Sequence, residues 1–462
     1  MNHSQALCIA YIGGGSRGWA WQLMGDLALE ESLLGEVRLY DIDLEAAKRN
    51  AVIGNRISQL PTARSKWLYT AVEEMDQALE GADFVIISIL PGTFDEMASD
   101  VHAPEAYGVY QSVGDTAGPG GIIRALRAGP MFEEIARAIA RCCPTAWVIN
   151  YTNPMAQCVH TLYDTFKDIN AVGCCHEVFG TQKLLCRMLA QEAGIENLDR
   201  RELDICVQGV NHFTFITDAR YKGEDIIPAY RDFAQKYAKT GYEDSDKGNW
   251  MNNLFASGNR VKFDLFLQYG AIAAAGDRHL AEFMPGTKYL KDPNTAAQWQ
   301  FALTPVSWRK ADLKKRLERS QRLFNGEEIV QLSPSGEEGV DIIKALLGLG
   351  NLVTNLNLNN IGQISNLPLG AVVETNALIM GGCIVPLYTG EIPDALVTLT
   401  TPAVNAQKAI AKAIRQKAAA PAFQAFLNDP LLCTLSSQQA RELYRMMLDN
   451  TSAYLKEWDL SF

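Results

Sequence analysis

Ala6-Leu7-Cys8-Ile9-Ala10-Tyr11-Ile12, followed directly by Gly13-Gly14-Gly15-Ser16-Arg17-Gly18, is the stretch on which the reading of the fold rests. A continuous apolar run bounded by glycines reads as a strand buried on both faces. Trp19 to Glu31 is amphipathic and reads as the helix that follows. Gly13, Gly15 and Gly18 fit G-x-G-x-x-G, and a strand before it with a helix after it is the context that gives the pattern meaning. Glycines there permit a tight turn and close backbone approach to a pyrophosphate, while the helix N-terminus offers N–H groups and partial positive charge. Glu36 to Tyr40 reads as the next strand and delivers Asp41, a carboxylate placed to bond ribose hydroxyls. A dinucleotide site is expected on Gly13, Gly15, Ser16, Arg17, Gly18 and Asp41. The acid favours NAD over NADP by repelling a 2′-phosphate, and Arg17 partly offsets it. The alternative is a plain glycine turn.

Outward from this unit the pattern repeats. Asp83 to Ile89, Ala146 to Asn150 and Asn170 to Cys174 read as further strands with helical stretches between them. Such alternation predicts βαβ units and an α/β, doubly wound parallel sheet. Past about residue 200, Leu203 to Gln208 and Phe213 to Tyr221 read as antiparallel strands. Helices are expected over Ala311 to Asn325, Val340 to Leu347, Thr400 to Arg415 and Ser437 to Glu457. A chain of 462 residues exceeds one core, so two packed domains are expected, 1–198 and 199–462. The polar Ala238 to Asn253 reads as a surface segment or lid.

The composition narrows the function classes. A net charge of -11 argues against nucleic acid as the main partner. No apolar run reaches the roughly 20 residues of a membrane helix, and the polar start lacks a signal-peptide layout. The ten cysteines are scattered, with no C-x-x-C, and read mostly as reduced, buried small hydrophobes of a cytoplasmic protein.

Ligands of doubly wound folds bind beyond the carboxyl ends of the strands. Three polar clusters fall there: Asn150-Tyr151-Thr152-Asn153-Pro154, Cys174-Cys175-His176-Glu177 and Asn211-His212. Asn153 is placed to present its amide to a substrate hydroxyl, or simply to make an Asn-Pro turn. Cys and His are soft and borderline metal ligands, and two strand ends can bring them together. A buried thiol and a hydrogen-bonded core imidazole are the other reading.

Taken in order, GGGSRG, Asp115-Thr116-Ala117-Gly118-Pro119-Gly120-Gly121, NYTNPMA from Asn150, CHEV from Cys175, GVNHF from Gly209 and Asn366-Leu367-Pro368 with Val373-Glu374 resemble the family-4 glycoside hydrolases. The likeness covers about residues 5 to 450. It implies a Rossmann-like domain joined to an α+β domain similar to that of lactate and malate dehydrogenases. It also implies NAD and usually Mn²⁺, the metal held by Cys175 and His212. The family's route is redox elimination: hydride leaves sugar C3 for NAD, the acidified C2 proton is removed, the aglycone leaves C1, and water and hydride return. By position, the resemblance assigns Tyr269 as base, His176 as the acid at the leaving oxygen, and Asn153 and Asn150 as sugar contacts.

CHEV looks like the α-galacturonidase branch, whereas α-galactosidases and α-glucosidases of the CHSV type carry Ser where Glu177 stands. The implied substrate is a short α-linked galacturonide, whose carboxylate calls for a guanidinium fork. Arg278 is the leading candidate, with Arg260 and Lys262 behind it. The family also implies a homodimer or homotetramer. Two competitors remain open at this point: a 2-hydroxy acid dehydrogenase, which would accumulate NADH, and a noncatalytic NAD-sensing protein, which would ignore metal.

Overall fold

A computed structural model describes residues 6–242 and 256–462. Among the described residues the strands are β1 Leu7–Ile12, β2 Gly35–Tyr40, β3 Trp67–Val72, β4 Phe84–Ile87, β5 Trp147–Asn150, β6 Asn170–Gly173, β7 Leu203–Val210, β8 Phe213–Tyr221, β9 Glu224–Asp225, β10 Ile272–Ala273, β11 Leu352–Asn359, β12 Val372–Met380 and β13 Cys383–Pro386. Six of them form the parallel order β3-β2-β1-β4-β5-β6, a doubly wound sheet.

The opening apolar run explains why β1 lies at its centre. Ile9 and Tyr11 pack on one face with Trp21, Leu27 and Ile343, while Ala10 and Ile12 pack on the other with Val85, Phe132 and Ile139. Helices Trp19–Leu29 and Gly339–Leu346 cover the first face, and helix Gly118–Cys142 covers the second. Each large side chain so withdrawn from water contributes roughly 1.5–3 kcal/mol.

Beyond β6 the sheet continues with antiparallel β11, β12 and β13, nine strands in all. Asn357 of β11 stands opposite Gly173 of β6, so residues past 350 complete a sheet begun at residue 7. The loop at 198/199 lies between helix Glu177–Ala193 and β7, and the larger sheet runs across that divide. A second sheet holds β10, β8 and β7, with β9 on β8. Helices Asp394–Gln416 and Ser437–Thr451 build the largest core cluster, around Ile410, Leu443, Tyr444 and Met447.

Several elements differ from the sequence reading. β3 and β11 to β13 were not expected. Helix Asp394–Gln416 begins six residues before Thr400 and carries Pro402 inside it. Cys143, Cys158 and Cys175 are buried, but Cys383 and Cys433 are exposed, so the ten free thiols are less uniformly buried than expected. Residues 243–253 of the polar segment lie outside the described residues. Among the described residues, no helix is long and apolar enough to cross a membrane.

Candidate active site

One cavity of about 1540 Å³ runs from the glycine turn, along the carboxyl ends of the parallel strands, to the second sheet. Gly13, Gly15, Ser16, Arg17, Gly18 and Asp41 line one end. Gly13 has φ +95°, and a Cβ there would lie 2.1 Å from Ser88 O. Asp41 accepts from Gly15 N at 2.9 Å and from Asp43 N at 2.9 Å, which fixes the carboxylate beside the turn. Arg17 pairs with Asp43 at 3.2 Å rather than with Asp41. This glycine cradle, which side chains would fill, fits a dinucleotide pyrophosphate.

At the other end stand Asp115, Asn153, Cys175, His176, Glu177, Arg278 and His279. Asn153 Nδ2 donates to Asp115 at 3.3 Å, and Asn153 Oδ1 is buried without a hydrogen-bond partner. Asn150 is a correction. Fully buried, it donates to Thr152 O and accepts from Thr152 N, both at 3.0 Å, and it is absent from the cavity wall. Its amide is consumed in shaping the strand-end turn.

His212 occupies the two-residue connection between β7 and β8, with φ +64°, the left-handed conformation that tight hairpin connections use. Its ring centroid lies 3.8 Å from that of His279. Asp115, His212 and His279 each offer a ligand atom, all within 4.8 Å of one another. His212 Nδ1 and His279 Nδ1 are buried without hydrogen-bond partners. An imidazole–carboxylate donor set with orphaned ring nitrogens fits a divalent ion. Cys175 stands on the cavity wall but outside that group of three; its carbonyl accepts from Asn355 Nδ2 at 3.3 Å. Asn355 and Asn211 both donate to Glu374, at 2.6 and 3.2 Å, in a buried polar knot behind the site.

His176 precedes helix Glu177–Ala193 and faces Glu337 at 3.2 Å. Burial opposes its protonation, but the Glu337 carboxylate prevails and raises its pKa to about 9. Glu177 accepts from Gly276 N at 2.7 Å and lies 3.7 Å from His279 Nε2. Burial works to raise its pKa, yet His279 and His176 hold it down at about 2.

Arg278 lines the wall and donates from Nε to Ala302 O at 3.1 Å and from Nη2 to Ser112 O at 2.6 Å and to Thr304. Burial and then Arg309 lower its pKa to about 10. Lys262 lines the cavity and bonds Thr181 at 2.6 Å, whereas Arg260 donates to Ala238 O at 3.1 Å and is not in the wall.

Tyr269 is the second correction. It is the last residue of helix Arg260–Tyr269, packs against the largest core cluster with Lys288 Nζ 5.9 Å from its ring, and does not line the cavity. Sequence reasoning also missed His279, Asp115 and Glu337 as site groups. Their partners are distant in sequence, and only the meeting of the strand ends with the second sheet brings them together.

Comparison with known proteins accords with this arrangement. Residues 8–191 match the family 4 glycosyl hydrolase profile, and residues 207–432 match the C-terminal domain of the same family. An alpha-galacturonidase of Thermoanaerobacterium saccharolyticum is 60% identical over 98% of this chain and 97% of its own. A solved structure of a presumed glucosidase from Bacillus subtilis is 51% identical, covers 96% of this chain and 100% of its own, and superposes with a TM-score of 0.91. A 6-phospho-alpha-glucosidase from gut microorganisms, solved with NAD and Mn²⁺, shares the fold at a TM-score of 0.78 and 18% identity, covering 99% of this chain and 100% of its own. Both halves of the sequence and the sheet that joins them therefore lead to one conclusion: the chain belongs to the family 4 glycosyl hydrolases.

Proposed function

We propose that the protein is a cytoplasmic α-galacturonidase, dependent on NAD and a divalent ion, usually Mn²⁺, that releases galacturonic acid from short α-linked oligosaccharides. The observation that carries this reading is the 60% identity to an alpha-galacturonidase across 98% of the chain. A cavity that joins a dinucleotide cradle to a metal-competent cluster gives the chemistry a place. When bound, NAD and the ion supply reversible oxidation at sugar C3 and the polarisation that makes the C2 proton acidic.

The chain's own groups take the remaining roles. Gly13, Gly15, Ser16, Arg17, Gly18 and Asp41 hold NAD, and Cys175 and His212 hold the ion. Asn153 orients a sugar hydroxyl. His176, kept protonated by Glu337, donates to the departing C1 oxygen. Arg278, with Arg309 beside it, gives the wall positive charge for a uronate carboxylate. The two domains are 1–198 and 199–462, and the enzyme works as a homodimer or homotetramer.

A panel of digalacturonate, an α-galactoside, an α-glucoside and an α-glucuronide tests this, with NAD⁺ and Mn²⁺ together and each omitted. Galacturonate release that needs both additives is expected. Brisk cleavage of the neutral galactoside without galacturonate release would overturn the substrate. NADH accumulation without cleavage would mark a dehydrogenase.

A further inference from the structure

Helix Val306–Asn325 belongs to the second half of the chain but lies on the first. At its start Val306 N donates to His102 Nε2 at 3.1 Å, and Lys310 pairs with Asp95. Near its end Leu323 O accepts from Arg56 Nη1 at 2.7 Å, and one turn earlier Arg319 stands 5.6 Å over the ring of Trp21. Each of these partners precedes residue 198, so both ends of the helix are pinned to the dinucleotide half. Between the pins, Trp308, Arg309, Asp312, Leu313 and Arg316 line the cavity that the glycine turn opens into.

Arg316 is the side chain of this helix that reaches the turn itself. Its Nη1 donates to Arg17 O at 3.3 Å, inside the glycine-rich loop. Its Nε donates to Asp312 at 2.6 Å, one helical turn back, and both side chains are half-buried. The charges at this end give the placement its meaning. Asp41, Asp43 and Asp312 all line it, and an anionic pyrophosphate has to enter beside them. Arg17 directs its guanidinium to Asp43, on the side of the ribose carboxylate Asp41. Backbone N–H groups of the turn answer part of the phosphate charge, and Arg316 brings an oriented guanidinium to the same turn. The helix as a whole carries seven Lys and Arg against two Asp and Glu, on a chain of net charge -11. Its field therefore draws anions to this end of the cavity.

We propose that Arg316 binds the NAD pyrophosphate, and that helix Val306–Asn325 is a clamp by which the second half of the chain holds the cofactor against the first. This rests on the NAD-dependent reading above and adds a phosphate contact that lies 299 residues beyond Arg17, outside any local glycine pattern. A clamp suits a cycle in which the hydride taken from the sugar is returned to it, because NAD need not leave between turnovers.

Calorimetry on the full-length protein, titrated with NAD⁺ and separately with ADP-ribose, tests this, and stopped-flow displacement gives the release rate. Arg316→Gln should weaken both ligands by about tenfold or more, as a lost charge-assisted bond does. Most of that loss should appear as faster release. Arg316→Lys, which keeps the charge but not the fork, should fall between wild type and Arg316→Gln, a rescue that a purely packing role would not show. Melting temperatures without cofactor identify folded variants, and Arg316→Met takes the place of Arg316→Gln if the latter does not fold. Wild-type affinity for both ligands in the folded variant would overturn the proposal and leave NAD dependence standing. Weakened NAD⁺ binding with unchanged ADP-ribose binding would also overturn it, by placing Arg316 at the nicotinamide. Failure of the wild-type protein to bind NAD⁺ would overturn both readings together.

Discussion

At Gly13 a single methyl group decides whether the dinucleotide end of the cavity can exist. The backbone is left-handed there and Ser88 O stands 2.1 Å from where a Cβ would be. Gly13→Ala must therefore displace backbone rather than a flexible side chain, and it pairs a strained φ with a clash. Loss of NAD binding by tenfold or more is expected in a fluorescence titration, together with a lower melting temperature; wild-type affinity would detach the cradle from cofactor binding. This residue was legible in the sequence because its requirement is local. The same is true of Ser16, Gly18 and Asp41. His279 was not legible. It stands beside His212 and Asp115, which reach it from a hairpin turn and a helix-leading loop, and no spacing along the chain encodes that meeting. Tyr269 shows the opposite case: its position matched a motif, but its partly buried ring packs against the largest core cluster and does not line the cavity.

At the scale of elements, β11 and β12 show why polar residues mislead. Leu352 to Asn359 reads L-V-T-N-L-N-L-N, which suggests a half-solvated or irregular segment, yet Asn355, Asn357 and Glu374 are all buried. Their alternation faces a polar knot behind the site rather than water, so an alternation rule assigns the wrong face. β3 was missed because it is the sheet's edge strand, with Leu68 exposed. The central parallel strands β1, β4 and β5 were legible because both their faces are covered. One joint among elements makes a sharp prediction. Arg127, inside helix Gly118–Cys142, bonds Asp100 at 2.6 Å, Thr451 at 2.9 Å and Pro91 O at 3.0 Å, and both charged side chains are 1% exposed. Arg127→Met leaves Asp100 as a buried, uncompensated charge, with an expected loss of about 3–5 kcal/mol in chemical denaturation. A loss below about 1 kcal/mol would show that Asp100 finds water or another partner.

The whole molecule carries a pH dependence in the joint between its C-terminal helices and the start of helix Gly118–Cys142. Asp429 accepts from Leu431 N at 2.9 Å and also from the Gly118 backbone. Burial raises its carboxyl from 3.8 to about 7. A raised acid binds its proton more tightly in the folded state, so its contribution is complete below pH 4 and is lost as pH rises through about 7. Denaturation midpoints measured from pH 5 to 8 should therefore decline in part because of this group, and Asp429→Asn should flatten that decline. An unchanged slope in the variant would assign the pH dependence elsewhere.

The sheet that joins β6 to β11 has a consequence for how the protein is made. When the ribosome has released residues 1–198, six parallel strands can already pair, but β6 is left as a bare edge with unanswered amide and carbonyl groups. The segment that covers it is translated some 150 residues later. At roughly 5–20 residues per second, the nascent chain must protect that edge for on the order of ten seconds or more. Synthesis thus passes through an interval in which a chaperone, or a neighbouring nascent chain, can reach β6 before its own partner does.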